Sequence, residues 1–421
     1  MVKASALYIV IIIALVIGLL CSAIIVSAYF YKMEYQKKIR YTQLQNNLNS
    51  GINILLASSD TSFTSQKKIS LFGGDADSVS LQKLQWGIYE CGVVKAFNQK
   101  DTLYRTFSFA SRIDSAKWAV LYLIDQDRPF SLSGKTTIRG DAYIPKAGVQ
   151  SAYIDGKGYE GDKRFIIGKK HDSQRSLPVL DGNGLKQFES HFTNPSGGDT
   201  VLTAKDSLQN SFLHPTHVFN FKKKAKTISD LHIDGNIILF SDTTITIDST
   251  VVLKNVQVYA RAIVVKSGFH GICQLFATDS IRVEARCAFG YPSSLSVFRF
   301  RSSAVNSQIK INVGQNTTLW GAIFSYDNTG SQMVPFITLQ KNTKITGQVY
   351  SQGIVELQDK TEIDGSVFTS KFIYRNTTTL FENYLINCTI DSRALSPYYL
   401  TSGLFPVSGK SKKVLEWLEA N

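Results

Sequence analysis

The residues best able to do chemistry are few and scattered. Of six histidines, only His214 and His217 stand close together, in His214-Pro215-Thr216-His217. A helical metal pair needs both imidazoles on one face, and the intervening proline prevents a helix there. No acidic ligand lies near in sequence, so no metal and no cofactor is expected. Asp141, Asp234 and Asp364 each adjoin a glycine. They do not recur as adjacent pairs, which general acid–base work or a calcium site would require, and Asp-Gly is an ordinary turn dipeptide. Cys21, Cys91, Cys273, Cys287 and Cys388 form no CxxC, so neither zinc nor redox spacing is met. Buried free thiols are expected, with one disulfide among the last four left open. GxSxG, HExxH and Walker phrases are all absent. These observations point away from an enzyme and leave no catalytic residue to name.

Charge bounds the partners. Lys and Arg number 46 against 33 Asp and Glu, a net +13. Such a surface is either simply solvated or drawn to anionic partners: nucleic acid, acidic polysaccharide or lipid head groups. The densest run, Lys222-Lys223-Lys224-Ala225-Lys226, has no interleaved aromatic platform, so nucleic acid is not expected. Anionic polysaccharide stays a candidate. Hydrophobic residues make up 43% of the 421 and charged ones only 19%, a mix that favours turn-rich β-structure over helix bundles.

The elements that would position any site begin with a membrane segment. Ala4 to Tyr31 contains no charge and no proline. It exceeds the roughly 20 apolar residues of a spanning helix and the roughly 7–15 of a signal-peptide core. An uncleaved single-pass anchor is expected, with the lipid bilayer as partner. Lys3 flanks one side, and Lys32, Lys37, Lys38 and Arg40, offset by Glu34, flank the other. That asymmetry favours a cytoplasmic domain, although long domains cross regardless. Beyond the span, Tyr41, Leu44, Leu48, Ile52 and Leu55 recur at spacings of three and four. One helix from about residue 5 to 57 follows, its outer half laying an apolar stripe on a soluble domain.

A second pattern governs the rest. Ile337-x-Leu339-x5-Ile345-x-Gly347-x-Val349-Tyr350 is matched by Val355-x-Leu357-x5-Ile363-x-Gly365-x-Val367-Phe368, every position 18 residues on. Ile311 to Phe324 and Phe130 to Tyr143 fit the same template, and Ile233 to Ile237 and Ile245 to Leu253 fit it in part, with Asn255 at the glycine position. Alternation within each phrase is the strand period. A fixed recurrence of this length implies stacked coils whose aliphatic columns bury one another, with the glycine where backbones crowd. By alternation Tyr143, Phe324, Tyr350 and Phe368 face outward and stack. Either they pack beneath an insertion or the long helix, or they form an exposed platform for a sugar or protein partner.

The fold class expected is mainly β: an interrupted β-helix, or solenoid, with a long N-terminal transmembrane and amphipathic helix and a small β-meander. The boundaries are 1–57 for the helix, 58–128 for the meander, 129–144 for a first coil phrase and 145–230 for a turn-rich insertion, or an irregular early part of the solenoid, that includes "NPSGGD". Residues 231–395 make the β-helix, with Phe381, Tyr384, Leu385 and Ile386 plugging its end. Residues 396–421 are a tail with a short helix from Lys412 to Ala420.

The stretch "KASALYIVIIIALVIGLL" and the striped helix after it resemble the N-terminus of minor pilins and pseudopilins of type IV pilus and type II secretion machines. That resemblance implies a membrane-anchored structural or assembly protein of the bacterial cell envelope. Its soluble part would lie outside the cytoplasm and its partners would be other envelope or filament proteins. The coil phrases at 130–143 and 309–368 resemble bactofilins, which implies instead a polymerising scaffold at the cytoplasmic membrane face. A carbohydrate-binding or carbohydrate-active β-helix is the third expectation.

Overall fold

The structure is a computed structural model and describes residues 3–58, 61–71, 77–98, 101–193, 207–300 and 307–420. The chain is mainly β, with one long N-terminal apolar helix and a barrel-like core of parallel strands. It divides into two compact units. The first comprises 1–84, 92–107 and 417–421, and the second 85–91 and 108–416.

In the first unit, α1 (Lys3–Ala57) is uninterrupted, as its spacing predicts. No proline breaks it, and hydroxyls within it return to the backbone: Ser22 Oγ donates to Gly18 O at 2.8 Å and Thr42 Oγ1 to Lys38 O at 3.0 Å. The apolar stripe is real but starts one turn later than expected. Leu44, Leu48, Ile52 and Leu55 are at most 5% exposed, whereas Tyr41 is 49% exposed. The stripe lies on a sheet whose strands Lys67–Ser70, Asp77–Trp86, Tyr89–Asn98 and Asp101–Ile113 are neighbours in chain order, the meander that the sequence implies. Gly51 permits the close approach, because a Cβ there would stand 2.8 Å from Val94 and 2.9 Å from Leu81. Asn98 Nδ2 donates to Gln43 Oε1 at 3.2 Å, and Arg40 meets Asp101 at 3.2 Å, tying the strand ends to the helix.

In the second unit the template copies stack in parallel and in register. Ile345 pairs with Ile363, Gly347 with Gly365 and Val349 with Val367, and Gly321 pairs with Gly347 one level back. Ile345, Val349, Ile363 and Val367 all point inward and are fully buried. Gly321, Gly347 and Gly365 have φ of 147°, 144° and 154°. A Cβ on any of them would collide with the carbonyl oxygen of Ser293, Gly321 or Gly347 in the level behind, so only glycine fits. A corner column is built as strictly. Asn316 and Asn342 sit at positive φ, and Asn342 Nδ2 donates to Asn316 Oδ1 at 3.0 Å. The buried residue after each corner is Thr317, Thr343, Thr361, Cys287 or Cys388, whose hydroxyl or thiol turns back to a carbonyl.

The order of the stack departs from chain order. It runs from Ser207–Asn210, His217–Asn220 and Lys226–Ile228 through His232–Ile247, Val252–Val265 and His270–Val283 as far as Glu362–Arg375. The next level is assembled from both ends of the unit: Leu121–Leu123 pairs with Val367–Thr369, and Thr389–Asp391 with Glu362 and Ile363. The 130–144 copy lies on that level, with Leu132 on Leu385 and Ile138 on Ile390. Val149–Ser151, Ile166–Ile167 and Lys170–Asp172 then add a further level.

Four expectations are therefore corrected. The 129–144 phrase is not the first coil but a late one. Residues 145–230 are not wholly an insertion, since both their ends join the stack; what leaves it includes α2 (Gly182–Thr193), while "NPSGGD" lies outside the described residues. Residues 384–386 do not plug the stack but extend it. Lys412–Ala420 belongs to a strand, Ser408–Ala420, paired with Asp101–Ile113. A nine-residue helix is marginal alone, whereas a sheet edge supplies backbone partners at once.

Candidate functional site

Parallel register gathers the four predicted aromatics into one column and lengthens it. Phe324 pairs with Tyr350, Tyr350 with Phe368, Phe368 with Tyr122 and Tyr122 with Tyr143. His171 continues it at one end, and Phe276, Tyr259 and Phe240 at the other, with Ser296 the one gap among these levels. The rings stack: Tyr122 lies 5.7 Å from Phe368 at 10° and 5.2 Å from Tyr143, and Tyr143 lies 5.0 Å from His171. At the gap, Phe298 reaches across to stack on Phe324 at 6.0 Å. Tyr122, Phe240, Tyr259 and Phe276 do not fit the template because no glycine stands three residues before the ring. A usable signal was present, since each follows an inward aliphatic: Leu121-Tyr122, Leu239-Phe240, Val258-Tyr259, Leu275-Phe276.

Most of this column is not an exposed platform. Phe324, Tyr350 and Phe368 are buried, and Tyr143, near the end, is half-buried. The chain itself supplies the cover. Phe405 lies edge-on to Phe324, Tyr350 and Phe368 at 5.6, 5.9 and 5.2 Å. Tyr350 Oη donates to Pro178 O at 3.1 Å. Over the other levels α2 packs Phe188 on Phe276 at 4.8 Å and Phe192 on Tyr259 at 5.1 Å. Asp181 starts that helix by accepting from Gly184 N at 2.7 Å. The cover around Phe405 is pinned by polar bonds: Thr401 Oγ1 to Gln348 Oε1 at 2.5 Å, Ser402 Oγ to Ile88 O at 2.7 Å and Tyr399 Oη to Gly321 O at 3.0 Å. Burial pushes the Tyr291 and Tyr399 hydroxyls well above their ordinary value.

The column surfaces at the Phe240 end, where a cavity of about 460 Å³ opens between Phe192, Phe240, Asp242, Arg261, Asp279 and Phe300. Arg299 also lines it. Its Nη2 donates to Asp279 Oδ1 at 2.9 Å, its Nη1 donates to Ser307 O at 2.7 Å, and Asp327 lies 3.8 Å away. Arg261 Nε donates to Asp279 Oδ2 at 2.6 Å. Asp279 is thus held between two guanidiniums, a geometry that fixes both side chains.

The other sequence candidates stay apart. Asp141 accepts from Lys169 N, Asp364 meets Lys344 at 2.9 Å and Asp234 lies 3.9 Å from Lys254. Lys222 to Lys224 are exposed in a turn, and the His217 ring lies on Phe219. Cys91, Cys273, Cys287 and Cys388 are buried free thiols. Burial raises all four, Cys388 to about 12, which removes the thiolate that a nucleophile needs. Among the described residues no group of three metal-ligating side chains forms.

No protein-family model and no curated protein matches the chain. Among solved structures, the crystal structure of competence-associated pilin ComZ from Thermus thermophilus is similar over 85% of this chain and 87% of that one, at 10% identity and a TM-score of 0.20. A TM-score that low is far from that of a shared fold, and nothing about this chain follows from the likeness.

Proposed function

We propose that this is a membrane-anchored, non-enzymatic structural protein of the bacterial cell envelope, pilin-like in its stem. The first half of α1 sits in the bilayer, and its second half is the stem on which the first unit's sheet is laid. The stacked parallel strands of the second unit are a β-helix, a rigid surface for other envelope or filament proteins. One observation carries the reading. The helix is long and apolar enough to cross a membrane, and from Leu7 to Tyr31 every side chain on it is exposed. At 1.5 Å per residue the apolar part exceeds the roughly 30 Å hydrocarbon layer. So large an apolar surface is stable only in lipid or against other chains. The partition between span and stem falls between Tyr31 and Leu44, where lysines and tyrosines gather as they do at a membrane interface.

A second reading, a polymerising scaffold on the cytoplasmic face, is favoured by Lys32, Lys37, Lys38 and Arg40 just after the span. Protease treatment of spheroplasts separates the two. Loss of the domain beyond residue 58 without lysis supports the envelope reading; digestion only after lysis overturns it in favour of the scaffold. Recovery of the chain in the soluble fraction after alkaline extraction would refute both.

A further inference from the structure

We propose that the cavity at the open end of the aromatic column is a saccharide subsite, taking a pyranose ring of an uncharged oligosaccharide. Its walls pair two chemistries. Phe192, Phe240 and Phe300 offer apolar ring faces, and Asp242, Arg261 and Asp279 offer planar groups able to engage vicinal hydroxyls two at a time. A polyol with one apolar face needs both kinds of wall, and few other ligands do. The volume suits a ring and part of its neighbour rather than a macromolecule.

Charge selects against an ionic occupant. Asp242 and Asp279 balance Arg261 and Arg299 around the cavity. Both arginines are already committed to Asp279, so a phosphate or uronate would meet the Asp242 carboxylate with no further cation among the described residues that line the cavity. Asp242 is exposed, and among the described residues no partner engages its carboxylate. The Arg299 side chain, only 6% exposed, backs this wall. The walls are preformed: Arg261 and Arg299 are fixed by Asp279, and Phe300 is fixed by stacking on Phe298 at 6.0 Å and 8°.

This inference is independent of membrane topology and its test does not depend on it. The full-length chain, in a detergent that contains no sugar, is titrated with cellotetraose, chitotetraose, xylotetraose and, as a charged comparison, tetragalacturonate. Saturation-transfer NMR and isothermal titration report binding, and a thermal melt reports folding of each variant. At least one neutral tetrasaccharide binds, and tetragalacturonate binds at least about tenfold more weakly. Phe300→Ala and Asp242→Asn each weaken binding by about fivefold or more, and Trp320→Ala, an exposed ring outside the cavity, leaves it unchanged. Asp242 is exposed, so its variant keeps the fold even if Phe300→Ala does not. The proposal is overturned if no neutral probe binds, if only tetragalacturonate binds, or if Asp242→Asn binds as the parent chain does.

Discussion

Gly365 shows how narrowly single positions constrain this molecule. Its φ of 154° and the Gly347 carbonyl against it leave no room for a side chain. Gly365→Ala must therefore lower stability by about 3 kcal/mol or more. Gly403→Ala, with open space where the Cβ would go, stays within about 0.5 kcal/mol, as chemical denaturation will show. Glu382 makes a pH prediction. Chiefly because Lys371 Nζ donates to it at 2.8 Å, with Arg128 also beside it, its carboxyl is held below its usual value near 4.5. A group depressed in the folded state stabilises above its unfolded pKa and loses that contribution as pH falls through the folded one. Melting temperature should thus drop on acidification below about pH 4.5, and less steeply in Glu382→Gln. The template glycines were legible in the sequence because steric exclusion acts on one residue type. The ion pairs were not, since Lys371–Glu382 depends on a return of the chain that no local pattern encodes.

At the scale of elements, the aromatic column and its cover divide the work. Each ring stands on the outer face of a strand, where alternation alone places it. Phe405 and α2 then convert that outer face into a second core. Removing the cover should cost as a core truncation does: Phe405→Ala lowers stability by about 3–5 kcal/mol and exposes Phe324, Tyr350 and Phe368 to a hydrophobic dye. Unchanged dye fluorescence would show that the rings are covered by something else. The column was readable because an aliphatic followed by an aromatic recurs at fixed spacing. Its burial was not, because Leu180, Phe188 and Phe405 are remote in sequence from the rings they cover. The terminal segment shows the same limit: the apolar spacing of Val414, Trp417 and Leu418 suits a helix, but an available sheet edge made it a strand.

Across the whole molecule, the second unit closes on itself late. Ile138 pairs with Ile390 and Leu132 with Leu385, so the strands at 130–133 and 137–139 have no neighbour on that side until residues 384–391 are in place. A chain ending at Arg375 should leave residues 130–139 open to protease while the levels from 232 to 357 stay protected. Protection of 130–139 in that truncation would show that the order of stacking is wrong. Pairings across such sequence separations impose a large loop-closure cost before any contact forms. Refolding of the full chain should therefore be slow, on the scale of seconds or longer by stopped-flow fluorescence.

What the sequence determined by itself is whatever a short stretch of chain can enforce: an apolar helix with a stripe at its far end, strands of period two, glycines where no Cβ fits, and aromatics on the outer side. These follow from local sterics and from the periodicity of side chains about a strand or helix. Only the tertiary structure decided which levels are neighbours, that the ends of the stack are built from segments far apart in the chain, and that most of the aromatic column is buried while one end opens beside Asp242 and Arg299. Several strands with nearly identical aliphatic faces compete for each place in the stack, and the choice among them rests on the summed packing of distant segments, which no single phrase contains.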